Sequence, residues 1–489
     1  MTNLPFTLTG MGALGIIVAS AAFYALYNLV YNIWFHPLRR FPGPFWWRAS
    51  RAPFCRELIK GTMSFRILDL HRKYGSVVRV APNELSFSDT EAWKDIHGHK
   101  AHLDKWSTFY RPVESMPTDV ASCQREEHTV LRRQLSHGFS DRSLREQEPL
   151  ISKYVDMFMN GVRGASNKGT TPVDLAAWFN YLTFDVIGDL SFGEPFGCLK
   201  ESNYHPWVKA IFQMGHVGVY IQTASHYPWV KNLLLSLVPE KAKRERESHL
   251  EFTKAKLKRR MALGQNRPDL IEGLLKKDLD MDKLEANASI LIMGGSETTA
   301  TLLAGATYFL TSYPETLKKL TDEVRSSFKS EEEINFQSVN SLEYLSACLN
   351  EALRLYPPVP NGLPRVVPQG GTTIAGHHVP ENSIVAIHQW AMYHTEQHFK
   401  RPLDFCPERW LGGKEFENDH LDAVQPFHIG PRNCLGRNLA YVEMRVVMSR
   451  LLWNFDLKIS EESRDWLDQK IFLFWAKGPL HVYLVPVSR

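Results

Sequence analysis

Cys434 is the residue of this chain whose surroundings are best suited to chemistry. It sits in Phe427-His428-Ile429-Gly430-Pro431-Arg432-Asn433-Cys434-Leu435-Gly436, a glycine-rich loop running into a helical pattern that begins at Leu435. A sulfur at a helix N-terminus meets free amides and the positive end of the backbone dipole, and Arg432 adds charge nearby. The thiolate is therefore favoured and serves as an anionic ligand. Gly430 allows a tight turn, and Gly436 lets a flat group approach the helix without meeting a side chain. Cys406 is the rival thiol, but Pro407 follows it and no glycine turn accompanies it, so its expected role is packing. Glu351-Ala352-Leu353-Arg354 places an acid and a base at i and i+3 on one helix face, where charge-assisted hydrogen bonds form. Gly294-Gly295-Ser296-Glu297-Thr298-Thr299 sets paired glycines inside a long helical pattern. Their cost there is about 2 kcal/mol, which predicts a locally opened turn with room for a diatomic molecule and water.

The ten-residue motif around Cys434 resembles the haem-binding signature of the cytochrome P-450 superfamily, and the other segments follow in that superfamily's order together with Pro407-Glu408-Arg409-Trp410. The resemblance implies a mainly α, single-domain cytochrome P-450 fold with small β-sheets, holding haem b with Cys434 as the iron ligand. By the same resemblance Phe427 and Gly436 border the haem, and Arg432, Arg365 and Arg132 hold its carboxylates. His128 stands four residues before Arg132, where many members carry Trp, and its imidazole can still donate a hydrogen bond. Glu297 and Thr298 match the acid and alcohol that guide protons to dioxygen, which favours a monooxygenase over relatives that rearrange peroxides. Glu351, Arg354 and Arg409 match a buried structural triad. Leaving one such charge unpaired costs about 3–5 kcal/mol.

Resemblance extends over essentially the whole chain. Trp34-Phe35-His36-Pro37-Leu38, Arg79-Val80-Ala81-Pro82-Asn83-Glu84-Leu85-Ser86-Phe87 and Asn361-Gly362-Leu363-Pro364-Arg365 look like fungal secondary-metabolite members of the isotrichodermin C-15 hydroxylase type. Such enzymes hydroxylate or epoxidise terpenoid or polyketide skeletons with O2 and electrons from a separate NADPH-cytochrome reductase. No dinucleotide fingerprint for a fused reductase follows a strand in this sequence. The implied pocket walls are 100–122, 205–226, 290–297, 359–363 and 472–474, rich in Phe, Tyr, Trp, Val and Ile with His216 and His226 as isolated polar groups, and suit a small hydrophobic substrate. Phenol coupling, ring closure or desaturation by the same group, and a membrane-tethered haem protein without turnover, are the alternatives.

Several elements must position these residues. Helical periodicity predicts Glu126–Leu135, Leu175–Leu190, Lys241–Leu263, Met281–Leu310, Pro314–Phe328, Leu342–Leu355 and Leu435–Trp453. Short strands are expected at Val77–Val80, Leu85–Ser88, Thr372–Ile374 and Ser383–Ile387, and a closing hairpin near Phe472–Trp475. The mixed charges of Lys241–Arg260 alternate in sign, as on a solvated helix face. Residues 1–38 lack Lys, Arg, Asp and Glu, and Met11–Val30 is interrupted only by Ser20 and Asn28. Twenty helical residues span about 30 Å, the thickness of the hydrocarbon layer. Arg39, Arg40, Arg48 and Arg51 follow, which places the remaining chain in the cytosol, with Tyr24, Tyr27, Tyr31 and Trp34 as interfacial anchors. A signal peptide cut near Ala19-Ser20-Ala21 is disfavoured by the missing basic start and the apolar run beyond it. A buried core helix at the chain's extreme start would be unusual.

The division is then a short lumenal segment (1–10), a transmembrane helix (11–34), a basic and Pro-rich hinge with Phe41-Pro42-Gly43-Pro44 (35–50) and a catalytic domain (51–489), single-pass in the endoplasmic reticulum membrane. Membrane lipid is a partner. Nucleic acid is not, since 57 basic and 53 acidic residues leave a net charge of only +4. With 44% hydrophobic residues and near-average Gly and Pro, the chain is globular. Its six scattered cysteines suit reduced thiols, and the sequon at Asn287 is discounted because it lies in an apolar helix on the cytosolic side.

Overall fold

The computed structural model describes residues 10–264, 267–277 and 279–487, with the side chains of residues 10–14, 213–216 and 242 left out. The lumenal segment expected at 1–10 therefore falls almost wholly outside the described residues, and so does the His216 side chain. The Gly10–Val30 helix continues through a π-turn at Tyr31–Phe35. Over Gly15–Phe35 it is long and apolar enough to cross a membrane, with none of that stretch buried against protein. Asn32 Nδ2 donates to Ala49 O at 2.9 Å and the Arg79 amide donates to Pro42 O at 2.7 Å, so the anchor helix is tied to the far end of the hinge and the middle of the hinge to the body.

Each helix expected from periodicity is present, with ends moved by one or two residues. Two of them form the spine. Leu175–Phe192 is apolar nearly all round and almost entirely buried, as a central helix must be. Asp174 caps its first turn, and Gly193 at φ +74° closes its last. Met281–Ser312 starts on Asp280, whose carboxylate accepts from the Lys283 amide at 2.7 Å, and stops just before Pro314. It runs unbroken through Gly294 and Gly295, so the opened turn expected there is corrected. Gly295 has a packing reason instead: a Cβ would lie 2.6 Å from Ile187 Cδ1 on the neighbouring helix, while Gly294 faces open space. Asn287 on this helix is fully buried, its side chain accepting from the Val120 amide and donating to Lys283 O.

The sheets lie to the side of these helices. Strands β1 (Val77–Ala81), β2 (Glu84–Phe87), β3 (Asp104–Lys105), β5 (Arg365–Val366) and β8 (Ile384–Ile387) form one mixed sheet in the order β1-β2-β8-β5-β3. β2 and β8 run parallel, the other neighbours antiparallel. β4 (Val173–Asp174), β10 (His481–Pro486) and β9 (Phe455–Ile459) form a second sheet, and β6 (Thr372–Ile374) with β7 (His377–Val379) a hairpin. Near the C-terminus the closing hairpin is one antiparallel bridge, Ile471 with Trp475.

Arg437–Asn454 follows the cysteine loop and buries Glu443. That carboxyl lines a cavity of about 10 Å³ with Thr183, Thr299 and aliphatic side chains. Burial alone pushes it up to about 8. A folded-state value above the unfolded one means that the native protein holds the extra proton, so stability declines as pH rises from about 4.5 towards 8. Glu443→Gln is expected to flatten that decline and to stabilise the protein by a few kcal/mol near pH 8, read from denaturant midpoints across the range. An unchanged slope would show that Glu443 is not the titrating group.

Candidate functional site

Cys434 is exposed, whereas Cys55, Cys123, Cys198, Cys348 and Cys406 are buried. Its thiol is nevertheless pushed up by surrounding protein, against the pull of the Gly436 amide, Arg132 and Arg437. The loop is held by backbone geometry: the Cys434 amide donates to Phe427 O at 2.8 Å. Gly430 turns at φ +77°, where a Cβ would come within 1.9 Å of His97 O. Gly430→Ala is accordingly expected to destabilise the protein by at least ~2 kcal/mol. A melting temperature within a degree of wild type would contradict that reading. Gly436 has only Phe139 near its absent side chain, at 3.6 Å, which leaves the approach to the helix open. The Phe427 ring packs on Tyr441, with Arg437 6.0 Å from its centroid.

A nest of cations lies beside this loop. The register of β3 and β5 sets Lys105 directly opposite Arg365. Like charges facing each other across a strand pair repel. Arg432 and His128 join them electrostatically: burial holds the His128 imidazole down to about 3, with further contributions from Arg432, Lys105, Arg132 and Arg365. Lys105 is held well below its ordinary value by burial, then by Arg365 and Arg432, with Asp119 opposing. Among the described residues none of Lys105, Arg365, Arg432 and Arg132 forms an ion pair with a carboxylate. Arg432 Nη1 is buried without a hydrogen-bond partner. Arg365 Nη1 donates to Tyr110 Oη at 2.8 Å, and Lys105 Nζ lies 4.2 Å from the centre of the Tyr110 ring. A buried excess of positive charge with an orphaned guanidinium nitrogen fits an anionic group, such as the carboxylates of a porphyrin. The sequence reading put Lys105 and Tyr110 only within the pocket wall 100–122; the strand register brings Lys105 to Arg365, and Tyr110 reaches it through the hydrogen bond at its hydroxyl. Arg132 is differently engaged: Nη1 donates to Asn433 O at 2.7 Å and Nη2 to the same residue's Oδ1, so it braces the cysteine loop.

Glu297 and Thr298 occupy different faces of their helix. Glu297 is buried against Lys477, whose Nζ lies 2.5 Å from Oε1 and 2.5 Å from Thr301 Oγ1. Its other oxygen, Oε2, has no hydrogen-bond partner. Thr298 Oγ1 donates to Gly294 O at 2.7 Å. Glu297 and Lys477 also border a cavity of about 380 Å³ lined by Asn180, Tyr204, Met293 and the 472–479 segment. Lys477 gave no signal in the sequence, since nothing local couples residue 477 to residue 297.

Beneath the site, the triad is complete. Arg354 holds Glu351 through two bonds, Nη2 to Oε1 at 2.7 Å and Nε to Oε2 at 3.0 Å, and Arg409 Nε reaches Oε1 at 3.0 Å. The three side chains have 0% exposure. Trp410 Nε1 and the Cys406 amide donate to the same carboxylate, and Arg409 is paired with Asp419 as well. Cys406 therefore acts through its backbone and packing. Burial pushes Glu351 up, but Arg354 and then Arg409 hold it below the usual carboxylate range.

Comparison with known proteins agrees with this geometry. The profile of the family described as Cytochrome P450 matches residues 41–481. "Cytochrome P450 monooxygenase prhB" of Penicillium brasilianum is 45% identical over 484 residues, covering 97% of this chain and 99% of that protein. "Trichothecene C-15 hydroxylase" of Fusarium sporotrichioides is 43% identical over 472 residues, 95% and 96% of the two chains. "Cytochrome P450 monooxygenase tpeC" of Talaromyces stipitatus is 45% identical over 476 residues, 95% and 93%. Likeness at this level, unbroken from hinge to final sheet, leaves one family for a chain with a cysteine loop of this kind: it belongs to the cytochrome P450 family and is a haem-dependent monooxygenase, an oxidoreductase.

Proposed function

We propose that this is a membrane-anchored haem-thiolate monooxygenase that hydroxylates or epoxidises a hydrophobic terpenoid or polyketide intermediate of fungal secondary metabolism. The observation that carries the reading is Cys434, an accessible thiol at a helix start beside a nest of cations lacking carboxylate partners. Haem b, once bound, supplies the activation of O2 and the transfer of one oxygen atom. The chain's own residues do the rest. Cys434 presents its sulfur to the iron, with Phe427 and Gly436 bordering the macrocycle. Arg432, Arg365 and Lys105 bind the two carboxylates, His128 stands beside them, and Arg132 fixes the loop through Asn433. Glu297 draws protons from the cavity it borders, and Thr298 holds a proton on its hydroxyl at the reacting centre. Glu351, Arg354 and Arg409 support the fold and touch nothing that reacts.

Electrons come from a separate NADPH-cytochrome reductase. The span 11–34 holds the chain in the endoplasmic reticulum membrane, with residues 35–50 as the hinge and 51–489 as the cytosolic catalytic domain. The relatives' names favour oxygen insertion, one of them being a hydroxylase. The test is a reduced carbon monoxide difference spectrum of detergent-solubilised protein, followed by turnover with reductase, NADPH and labelled dioxygen. A red-shifted Soret band and one labelled oxygen in the product are expected. A spectrum of histidine ligation overturns the ligand assignment, and a product without label moves the chemistry to coupling or desaturation.

A further inference from the structure

A third cavity, of about 30 Å³, lies where the helix end at His226, the Asn361–Pro364 segment, β8 and the 472–473 turn meet. Its wall is largely apolar, with Phe54, Leu58, Met63, Trp106, Phe109 and Phe472 contributing. Two imidazole nitrogens in this wall, His388 Nε2 and His226 Nε2, are buried without a hydrogen-bond partner. His388 follows β8 directly and is only 4% exposed. Its tautomer is set by one contact: the Gly362 amide donates to Nδ1 at 3.1 Å. Burial, then His71, holds the ring down to about 3, so it is neutral and carries its single proton on Nε2. Gly362 leaves room for that ring, because a Cβ there would lie 3.1 Å from Nε2 and 2.9 Å from the Ala386 methyl. His226 stacks on Trp106 at 5.2 Å between ring centres and is likewise held neutral by burial, then by Arg51.

A buried N–H without an acceptor costs about 1–3 kcal/mol, which a folded protein tolerates where a ligand supplies the acceptor. A space of about 30 Å³ admits a single small polar group and excludes a whole skeleton. Phe472 and Leu473 line both this cavity and the larger one beside Glu297, so the segment expected to contact substrate borders both spaces.

We propose that His388 is a specificity-determining residue whose Nε2–H donates a hydrogen bond to a carbonyl or hydroxyl oxygen already carried by the apolar substrate. This rests on the monooxygenase reading above and narrows its substrate class. The enzyme then acts after a step that installs or retains an oxygen on the skeleton, and a bare hydrocarbon is a poor substrate. A site built around a buried donor discriminates strongly, because a ligand lacking the acceptor leaves that donor unpaired.

The experiment titrates full-length, haem-loaded protein with nootkatone, a sesquiterpene ketone, and with valencene, the hydrocarbon of the same skeleton, following the Soret shift. Wild type is expected to bind the ketone at least about tenfold more tightly, in keeping with one hydrogen bond of this kind. His388→Phe fills the ring's volume without a donor and is expected to bring the two affinities within about twofold while leaving that for valencene unchanged. His388→Gln restores a donor and is expected to recover part of the preference. Equal affinities in wild type, a preference that survives in His388→Phe, or no binding of either terpene overturns the proposal. So does a crystal structure with the ketone bound in which His388 contacts an ordered water only. The reduced carbon monoxide spectrum of the same samples separates the two failures: loss of the thiolate band sinks the monooxygenase reading, and its retention with no ketone preference sinks this one alone.

Discussion

Cys434→Ala is expected to abolish the red-shifted carbon monoxide band and to lower turnover by at least about a thousandfold, equivalent to ~4 kcal/mol of lost transition-state stabilisation. The same substitution is expected to leave the haem-free fold nearly unchanged. Its thiol is exposed and packs no core, and the loop is held by the Cys434 amide on Phe427 O and by the turn at Gly430, which alanine preserves. Exposed substitutions of this kind stay within about 0.5 kcal/mol. The two readouts therefore separate, and a spectrum together with a melting curve checks both. Turnover that persists in Cys434→Ala would remove the residue from the chemistry, and collapse of the haem-free fold would make it structural.

Glu351→Ala has the opposite profile, a large loss of stability from a residue that touches no reacting group. Its carboxylate receives Arg354 twice, Arg409, Trp410 and the Cys406 amide. Arg354 keeps bonds to Tyr393 O, Pro402 O and Asp404 O, so the substitution strands its buried guanidinium where the backbone still holds it, while Arg409 keeps its pair with Asp419. The expected cost is about 3–5 kcal/mol, read from denaturant midpoints, with haem content falling in proportion to folded protein. pH gives a second handle. Glu351 is held below the usual carboxylate range in the folded state, so its contribution is complete above the unfolded value and is lost as pH falls through the lower folded one. Acid sensitivity that is identical in wild type and Glu351→Gln would show that the triad is not what acid disrupts.

Local chemistry was legible in the sequence. Leu175–Phe192, Met281–Ser312 and Arg437–Asn454 lie within two residues of where the sequence placed them, because long proline-free apolar runs bounded by capping and breaking residues such as Asp174, Gly193, Asp280 and Pro314 are local signals. The Cys434 loop and the Glu351–Arg354 pair are short motifs, complete within ten residues or fewer, and so could be read directly. Paired glycines misled: taken as a weak point in the helix, Gly295 proved to be the place where Ile187 comes close. A helix boundary or a kink has local causes, whereas close approach of two helices has none.

What the tertiary structure alone decided are the partnerships between distant segments. Lys105 meets Arg365 only through the register of β3 and β5, Lys477 meets Glu297 only because the last turn folds back over a helix 180 positions earlier, and His388 is left without an acceptor only by the packing around it. Charge and hydrogen-bond satisfaction are properties of three-dimensional neighbourhoods, so no spacing along the chain announces them. The sequence by itself determined which residues could ligate, cap and pair, since those capacities belong to side-chain type and helical phase. The fold decided which of those capacities are met within the protein and which, at Arg432, Glu297 and His388, are left open.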